Sequence, residues 1–459
     1  MKILHVPFTF SPDPLGGTEV YVKTLAWAQR EIGLTPVIAA PGRRTERYAV
    51  EGLAVHRFAV GDGVTDVREM YGPGDAAAAR EFGRILDDEA PDVLHLHALT
   101  RGASSLLVRG ASRRGIPSVF TYHTPTVSCP RGTLLRWGQR PCDGRVEGIR
   151  CAECRLESAG LPRMVGRVLA RVPATLAATI ADHGFSGGAW TALAMRELVR
   201  LRQEAFRDCM AQVGHIVAVC EWARAVLENN GVPSEKITVS RAGVPRRPVP
   251  ASPRRSRSPS GDALRAAFLG RVDATKGPDL VVKAIRSAPG LRITLDIYGI
   301  LEAAAGHRYH RELTAAAAGD PRIVFRPAVP SEDVVGLLRG YDVVVVPSRW
   351  LETGPLVVLE AFAAGTPVIG SGIGGIAELV SDGVDGLLVP TRSVKAWRDV
   401  LARLDREREL LVRLSRGIRP PRSMADAADD MMVVYGRVMA ALGEGPHDAK
   451  SAHPVRSVH

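Results

Sequence analysis

Short apolar runs alternate with stretches of helical period along most of the chain. Lys2–Phe8 (KILHVPF) reads as a buried strand, and Thr18–Ile32 as a helix closed by Gly33. TPVIAA at 35–40, Asp92–Ala98 (DVLHLHA) and Pro117–His123 (PSVFTYH) read as further strands. The same grammar then repeats: Arg265–Gly270, Arg292–Gly299, Arg322–Ala328, Asp342–Ser348 and Thr366–Ser371 are predicted strands with helical segments between them. Strands alternating with helices predict an α/β chain with doubly wound parallel sheets, and the repetition predicts two of them. Pro248–Gly261 is rich in Pro, Ser and Arg, with almost no core-forming side chains, and reads as a surface linker. The expected organisation is a Rossmann-like domain over 1–245, a linker over 246–262 and a second Rossmann-like domain over 263–422. A helix over 423–443 is expected to pack back on the first domain, ahead of a disordered tail over 444–459. Two such domains face one another across a cleft at the carboxyl ends of their strands.

Composition narrows the function classes. With 459 residues, 46% apolar and 24% charged, the chain is not mainly disordered. Its longest apolar runs, such as Val343–Val346, are too short to span a bilayer. The first apolar stretch is interrupted by His5 and closed by prolines, so a strand is expected there and not a signal peptide. The net charge of +11 raises nucleic acid as a partner, but aromatics are only 5% and do not interleave with the basic residues. A nucleic-acid-binding function is therefore set aside. Leu161–Ile180 is predicted to be one helix with Arg163, Arg167 and Arg171 in a single stripe. The stripe is either a solvated face or a contact with anionic membrane or a lipid phosphate. The expected location is the cytoplasm, with the inner membrane face as a place of peripheral contact.

Four cysteines, Cys129, Cys142, Cys151 and Cys154, are spaced C-x12-C-x8-C-x2-C in an expected insertion over about 125–210. Clustered thiols in a reducing compartment suit a structural zinc ion or an iron–sulfur cluster, or they stay unligated. Cys209 and Cys220 are expected to be buried apolar residues.

The segment Ser348–Gly365 (SRWLETGPLVVLEAFAAG) carries the most chemistry. A buried strand ends at Pro347, a loop presents Glu352, and Pro355 and Gly365 bracket a short helix. Its N-terminal amides, from Gly354 through Leu356 and Val357, form a phosphate site. Glu352 and Glu360 beside an anion site point to sugar and ribose hydroxyls, which a carboxylate accepts in fixed geometry.

This block resembles the Glu-x7-Glu signature of family 4 retaining glycosyltransferases, which have the GT-B fold. The resemblance extends through Gly16-Gly17-Thr18-Glu19, DVLHLH at 92–97, TYHT at 121–124 and EKITVSRAGV at 235–244. FLGRVDATKG at 268–277 and GGIAELVSDGVDGLLVP at 374–390 complete it. The resemblance implies that Arg271 and Lys276 clamp a donor diphosphate, Glu352 contacts the transferred sugar and Glu360 binds the ribose. It implies that Gly16 and Gly17 form a loop close to the donor or acceptor, that His123 bonds to the sugar near the reacting carbon, and that His97 lines the acceptor side. His95 is expected in the core. The four cysteines are similar to an insertion in a subset of these enzymes. The chain departs from the family at Thr353-Gly354-Pro355, where many relatives have Gly-Phe-Gly, and at Ala242-Gly243-Val244-Pro245, where Asn-Gly-Val-Asp is common.

The expected partners are a nucleoside-diphosphate sugar and a sugar, lipid-linked or small-molecule acceptor, without nucleic acid. No Asp-x-Asp motif is present, so no metal cofactor is expected in catalysis. The family implies front-face transfer with retention, serving a cell-surface glycan, a glycolipid or a secondary metabolite. A nucleotide-sugar 2-epimerase of the same architecture is the alternative.

Overall fold

A computed structural model describes residues 1–13, 16–61, 67–183, 187–245, 263–300 and 303–443. The expected linker over 246–262 and tail over 444–459 lie outside the described residues. The strands are β1 (Lys2–Val6), β2 (Thr35–Gly42), β3 (Glu46–Val50), β4 (Leu53–Ala59), β5 (Val93–Leu96), β6 (Ser118–Tyr122), β7 (Leu135–Arg136) and β8 (Arg140–Pro141). They continue as β9 (His215–Ala218), β10 (Ile237–Val239), β11 (Leu264–Arg271), β12 (Ile293–Ile300), β13 (Ile323–Arg326), β14 (Val343–Val346), β15 (Val368–Ser371) and β16 (Gly386–Val389).

The first sheet runs β10-β9-β6-β5-β1-β2-β4-β3 and the second β13-β12-β11-β14-β15-β16. All described pairings in them are parallel except β3 with β4. That hairpin is absent from the sequence reading. It turns through Glu51 and Gly52, both at positive φ (49° and 78°), the backbone a two-residue hairpin turn needs. In each domain the winding reverses beside the first strand, between β1 and β5 and between β11 and β14. A ligand crevice opens at such a switch point, and the candidate residues cluster at these two places.

The insertion is a small helical layer with its own core, in which Ala152, Leu156, Ala170, Ile180, Leu198 and Val199 pack together. The single helix expected over Leu161–Ile180 is two helices, Arg163–Leu169 and Ala174–Asp182, bent by 88°. Pro173 between them has no amide to donate and caps the second helix. Arg171 falls in the break and pairs with Glu153 at 2.5 Å, so the three-arginine stripe does not form. No single described helix is long and apolar enough to cross a membrane; this bent pair passes only when its limbs are counted together.

The helix Met424–Gly443 packs against the first domain, where Met431, Val434 and Tyr435 join Ile3, Val22 and Leu25 in one core. The chain's two passages between domains touch there: Val244 and Ser423 form a parallel bridge, closed by Val244 N–H to Arg422 O (2.9 Å) and Met424 N–H to Val244 O (2.8 Å). Gly243 makes this contact possible, because a Cβ on it would lie 2.1 Å from the Ser423 carbonyl. Gly243→Ala is expected to destabilise the protein by about 1–3 kcal/mol, read as a lower urea midpoint.

Candidate active site

The β11 switch point builds one wall of the cleft. Asp273 accepts from the amides of Thr275 (2.8 Å) and Lys276 (3.1 Å) and so shapes the turn after β11. Gly277, at φ 68°, then starts the helix Pro278–Arg286, and a Cβ there would meet Pro347 O at 2.4 Å. Arg349 ties the neighbouring loop to this turn: its guanidinium forks onto Asp279 (2.7 and 2.8 Å) and its amide donates to Thr275 O (2.7 Å). The fork, with Tyr309 and Lys283 adding bonds, outweighs burial and holds the Asp279 carboxyl down at about 2.

Glu352 sits in that loop, 6% exposed. One carboxylate oxygen accepts from Lys276 Nζ (2.7 Å) and Ser348 Oγ (2.6 Å). Burial alone would raise this carboxyl, but the charge and hydrogen bond of Lys276 and the bond from Ser348 bring it below its ordinary value. Glu352 is therefore ionised and Lys276 is neutralised by it. Arg271 stands nearby, paired with Asp273 at 3.3 Å.

Pro355 caps the helix Leu356–Ala363. The amides of Leu356 and Val357 open that helix and have no intrahelical acceptor. Glu360 lies one turn in, half-buried, its carboxyl with no hydrogen bond or ion pair among the described residues. Desolvation pushes its carboxyl up to about 7.

The other wall comes from the β1 switch point. Gly16 caps the helix Gly17–Glu31, its amide donating to Glu19 at 3.0 Å. A Cβ on Gly17 would meet nothing within 4 Å, so this loop faces open space. His123 follows β6 and is 8% exposed. His97 does not line the cleft: it is fully buried behind His123, with Nδ1 3.0 Å from His123 Nε2 and Nε2 3.0 Å from His5 Nδ1. The expectation for His97 is corrected, because β5 ends one residue earlier and the ring turns into the sheet. His95 is buried, bonded to Tyr435 OH and Thr121 Oγ1, each at 2.7 Å.

The two walls are clasped. Thr353 Oγ1 donates to His123 O (2.5 Å) and Trp222 Nε1 to Glu352 O (2.8 Å). Gly375 N–H donates to the same Glu352 oxygen (2.6 Å). Glu378 accepts from the amides of Glu221 (2.9 Å) and Trp222 (3.0 Å), capping a first-domain helix from the second domain, and pairs with Arg241 (3.0 Å). Sequence reasoning assigned Trp222, Gly375 and Glu378 no role. The only signal was that Gly374, Gly375 and Glu378 fall in a motif shared with the family.

The four cysteines lie on one module: a turn after the 3-10 helix Pro125–Val127, the β7–β8 hairpin and the helix Gly148–Ser158. The Glu147 amide donates to Cys151 Sγ (3.4 Å) and the Gly144 amide to Cys142. Burial nonetheless pushes both thiols up, Cys151 to about 11. The donor set suits a tetrahedral ion in number and type. The sulfurs are not closed around a point, however. Among the described residues, the metal-ligand atoms gathered within 4.8 Å of one another belong to His5, His95 and His97. Cys209 and Cys220 are buried in the core of the first domain.

Comparison with known proteins agrees with this fold. Residues 253–419 match the model described as Glycosyl transferases group 1, and residues 15–148 the one described as Glycosyltransferase Family 4. The D-inositol 3-phosphate glycosyltransferase of Saccharomonospora viridis is 36% identical over 193 residues, 39% of this chain but only 44% of that protein. The protein of the same name from Paenarthrobacter aurescens is 26% identical over 404 residues, 84% of this chain and 83% of that protein. Among solved structures, sucrose-phosphate synthase from Thermosynechococcus elongatus superimposes with a TM-score of 0.64 at 17% identity, covering 96% of this chain and 100% of that one. Anabaena HepE in complex with UDP-glucose gives 0.59 at 13% identity, covering 96% and 99%. The fold is GT-B. Each half of the chain matches a different glycosyltransferase domain model.

Removing the Glu378 clasp leaves a helix start uncapped and Arg241 unpaired. Glu378→Ala is expected to cost about 1–2 kcal/mol and to enlarge the radius of gyration measured by small-angle X-ray scattering.

Proposed function

We propose that this protein transfers a sugar from a nucleoside-diphosphate donor to an acceptor hydroxyl with retention of configuration, by front-face attack and without a catalytic metal. The observation that carries the reading is the Lys276–Glu352 pair at the β11 switch point, beside two helix-start amides and the open carboxyl of Glu360. On donor arrival Lys276 turns from Glu352 to the diphosphate. Glu352 is thereby freed to accept from a sugar hydroxyl. Arg271, Lys276 and the amides of Leu356 and Val357 meet the charge that grows on the leaving group, and Glu360 accepts from the ribose. Pro355 lacks the amide that relatives with Gly-Phe-Gly offer at this place, so the phosphate rests further into the helix start. The departing phosphate takes the acceptor's proton. Uridine is the first base to test, because HepE is described with UDP-glucose. A phosphorylated polyol is the first acceptor, from the name of the curated relatives. To hold a structural zinc ion or iron–sulfur cluster, Cys129, Cys142, Cys151 and Cys154 would have to draw their sulfurs together, and the bound group would then brace the insertion next to His123.

A lipid-linked acceptor reached from the cytoplasmic membrane face is a second reading. Exposed Met164, Val165 and Val168 beside Arg163 and Arg167 favour it. The epimerase alternative is not favoured, since both matched domain models are those of glycosyltransferases.

A donor panel read by nucleoside-diphosphate release should show turnover that depends on added acceptor and persists in EDTA. Glu352→Ala should lower kcat by about 10²-fold or more; full activity in that variant, or an inverted product by NMR, refutes the assignment. The raised carboxyl of Glu360 sets a pH dependence. Because only the carboxylate accepts two hydroxyls, donor affinity by calorimetry should rise as pH increases through about 7. Glu360→Gln should bind more weakly and lose that slope.

A further inference from the structure

Behind His123 an unbroken line of polar side chains runs through the core of the first domain. His123 Nε2 meets His97 Nδ1 (3.0 Å), His97 Nε2 meets His5 Nδ1 (3.0 Å), and His5 Nε2 meets Gln29 Oε1 (2.8 Å). Gln29 Nε2 donates to Tyr435 OH (3.1 Å), which bonds to His95 Nδ1 (2.7 Å); His95 Nε2 reaches Thr121 Oγ1 (2.7 Å). His5, Gln29, His95, His97, Thr121 and Tyr435 have no solvent exposure. Burial lowers the four histidines far enough, His5 to about 4 and His123 to about 3, that each ring is neutral at pH 7.

A neutral imidazole donates through one nitrogen and accepts through the other. That rule couples the rings. Gln29 Oε1 can only accept, so His5 must carry its proton on Nε2 and accept on Nδ1. His97 must then donate from Nε2 and accept on Nδ1. His123 must donate from Nε2, which leaves His123 Nδ1 bare. Of the eight ring nitrogens in these histidines, it alone has no partner among the described residues. The other end of the Gln29 amide runs in the same sense: Gln29 Nε2 donates to Tyr435 OH, which is left free to donate to His95 Nδ1.

We propose that Gln29, His5 and His97 are positioning residues that hold His123 as the Nε2–H tautomer, presenting a bare Nδ1 acceptor to a substrate hydroxyl, and that Tyr435 of the C-terminal helix anchors the line. This rests on the glycosyl-transfer reading only for what His123 touches. The helix Met424–Gly443 follows the second domain in sequence but packs on the first, so the seating of that helix sets the proton pattern at the site. The gathering of His5, His95 and His97 nitrogens within 4.8 Å of one another also resembles a metal site. Every nitrogen of those three rings is already hydrogen-bonded, in a place without solvent access, and a metal ion would have to break several of these bonds.

The test is a 15N NMR tautomer assignment of the protein labelled at histidine, which needs no substrate and does not depend on the proposed activity. His5, His97 and His123 are expected as Nε2–H. His123 protonated on Nδ1, or three rings showing metal-bound shifts with stoichiometric metal in the sample, overturns the proposal. Gln29→Met, of similar length but without an acceptor, is expected to give a mixture of His123 tautomers. Gln29→Glu, which when protonated can accept from His5 through its carbonyl and donate to Tyr435 as the amide does, should retain Nε2–H. Tyr435→Phe leaves the histidines in place and should likewise mix the tautomers, so the test survives if Gln29→Met does not fold. An unchanged His123 in both Gln29→Met and Tyr435→Phe overturns the role of the line. Once a donor is known, Gln29→Met should lower kcat by about 10-fold or more with little change in donor KM; a wrong tautomer costs about 10⁴ where a partner orients a catalytic imidazole.

Discussion

The backbone oxygen of Glu352 accepts from both domains, through Trp222 Nε1 at 2.8 Å and the Gly375 amide at 2.6 Å. The carboxylate of the same residue is held by Lys276 and Ser348. One loop residue is thus gripped at both ends by groups from separate parts of the chain. The close seating of this loop requires residues without side chains opposite it. A Cβ on Gly375 would lie 2.7 Å from Glu352 O and 2.8 Å from Gly354 N. The domain contact and the placing of the helix Leu356–Ala363 follow from that fit, while Lys276 and Ser348 keep Glu352 ionised.

Local pattern made the sheets legible. Strands at or beside a switch point are short, largely apolar runs followed by a residue with chemistry: Val93–Leu96 by His97, Ser118–Tyr122 by His123, and Val343–Val346, after Pro347, by Ser348. Glu352, Glu360, Arg271 and Lys276 could be named because motif spacing places them on one strand-loop-helix unit. What stayed hidden depends on long-range contacts. Tyr435 meets His95 across 340 positions, and Glu378 caps a helix start 157 positions away. Period alone cannot tell a strand-end histidine that reaches a cleft from one that turns inward, so His97 was misplaced. The bend at Pro173 was written in the sequence and was outvoted by the arginine spacing around it.

The surplus of arginine also has a structural use. Arg322 donates to the carbonyls of Ile285, Ala288 and Leu291 and forks onto Asp320. Arg349 locks two loops of the cleft through Asp279. A planar guanidinium with five donors can close several loop carbonyls at once, which a lysine cannot do. Part of the arginine complement therefore serves as internal stitches between loops.

The bridge between Val244 and Ser423 fixes how the cleft can open. The outward and returning passages of the chain are bonded side by side, so sliding one domain past the other would tear that bridge. Rotation about it keeps it whole. Whatever passes into or out of the space between the domains is then governed by a single mechanical coordinate, the stiffness of this paired hinge.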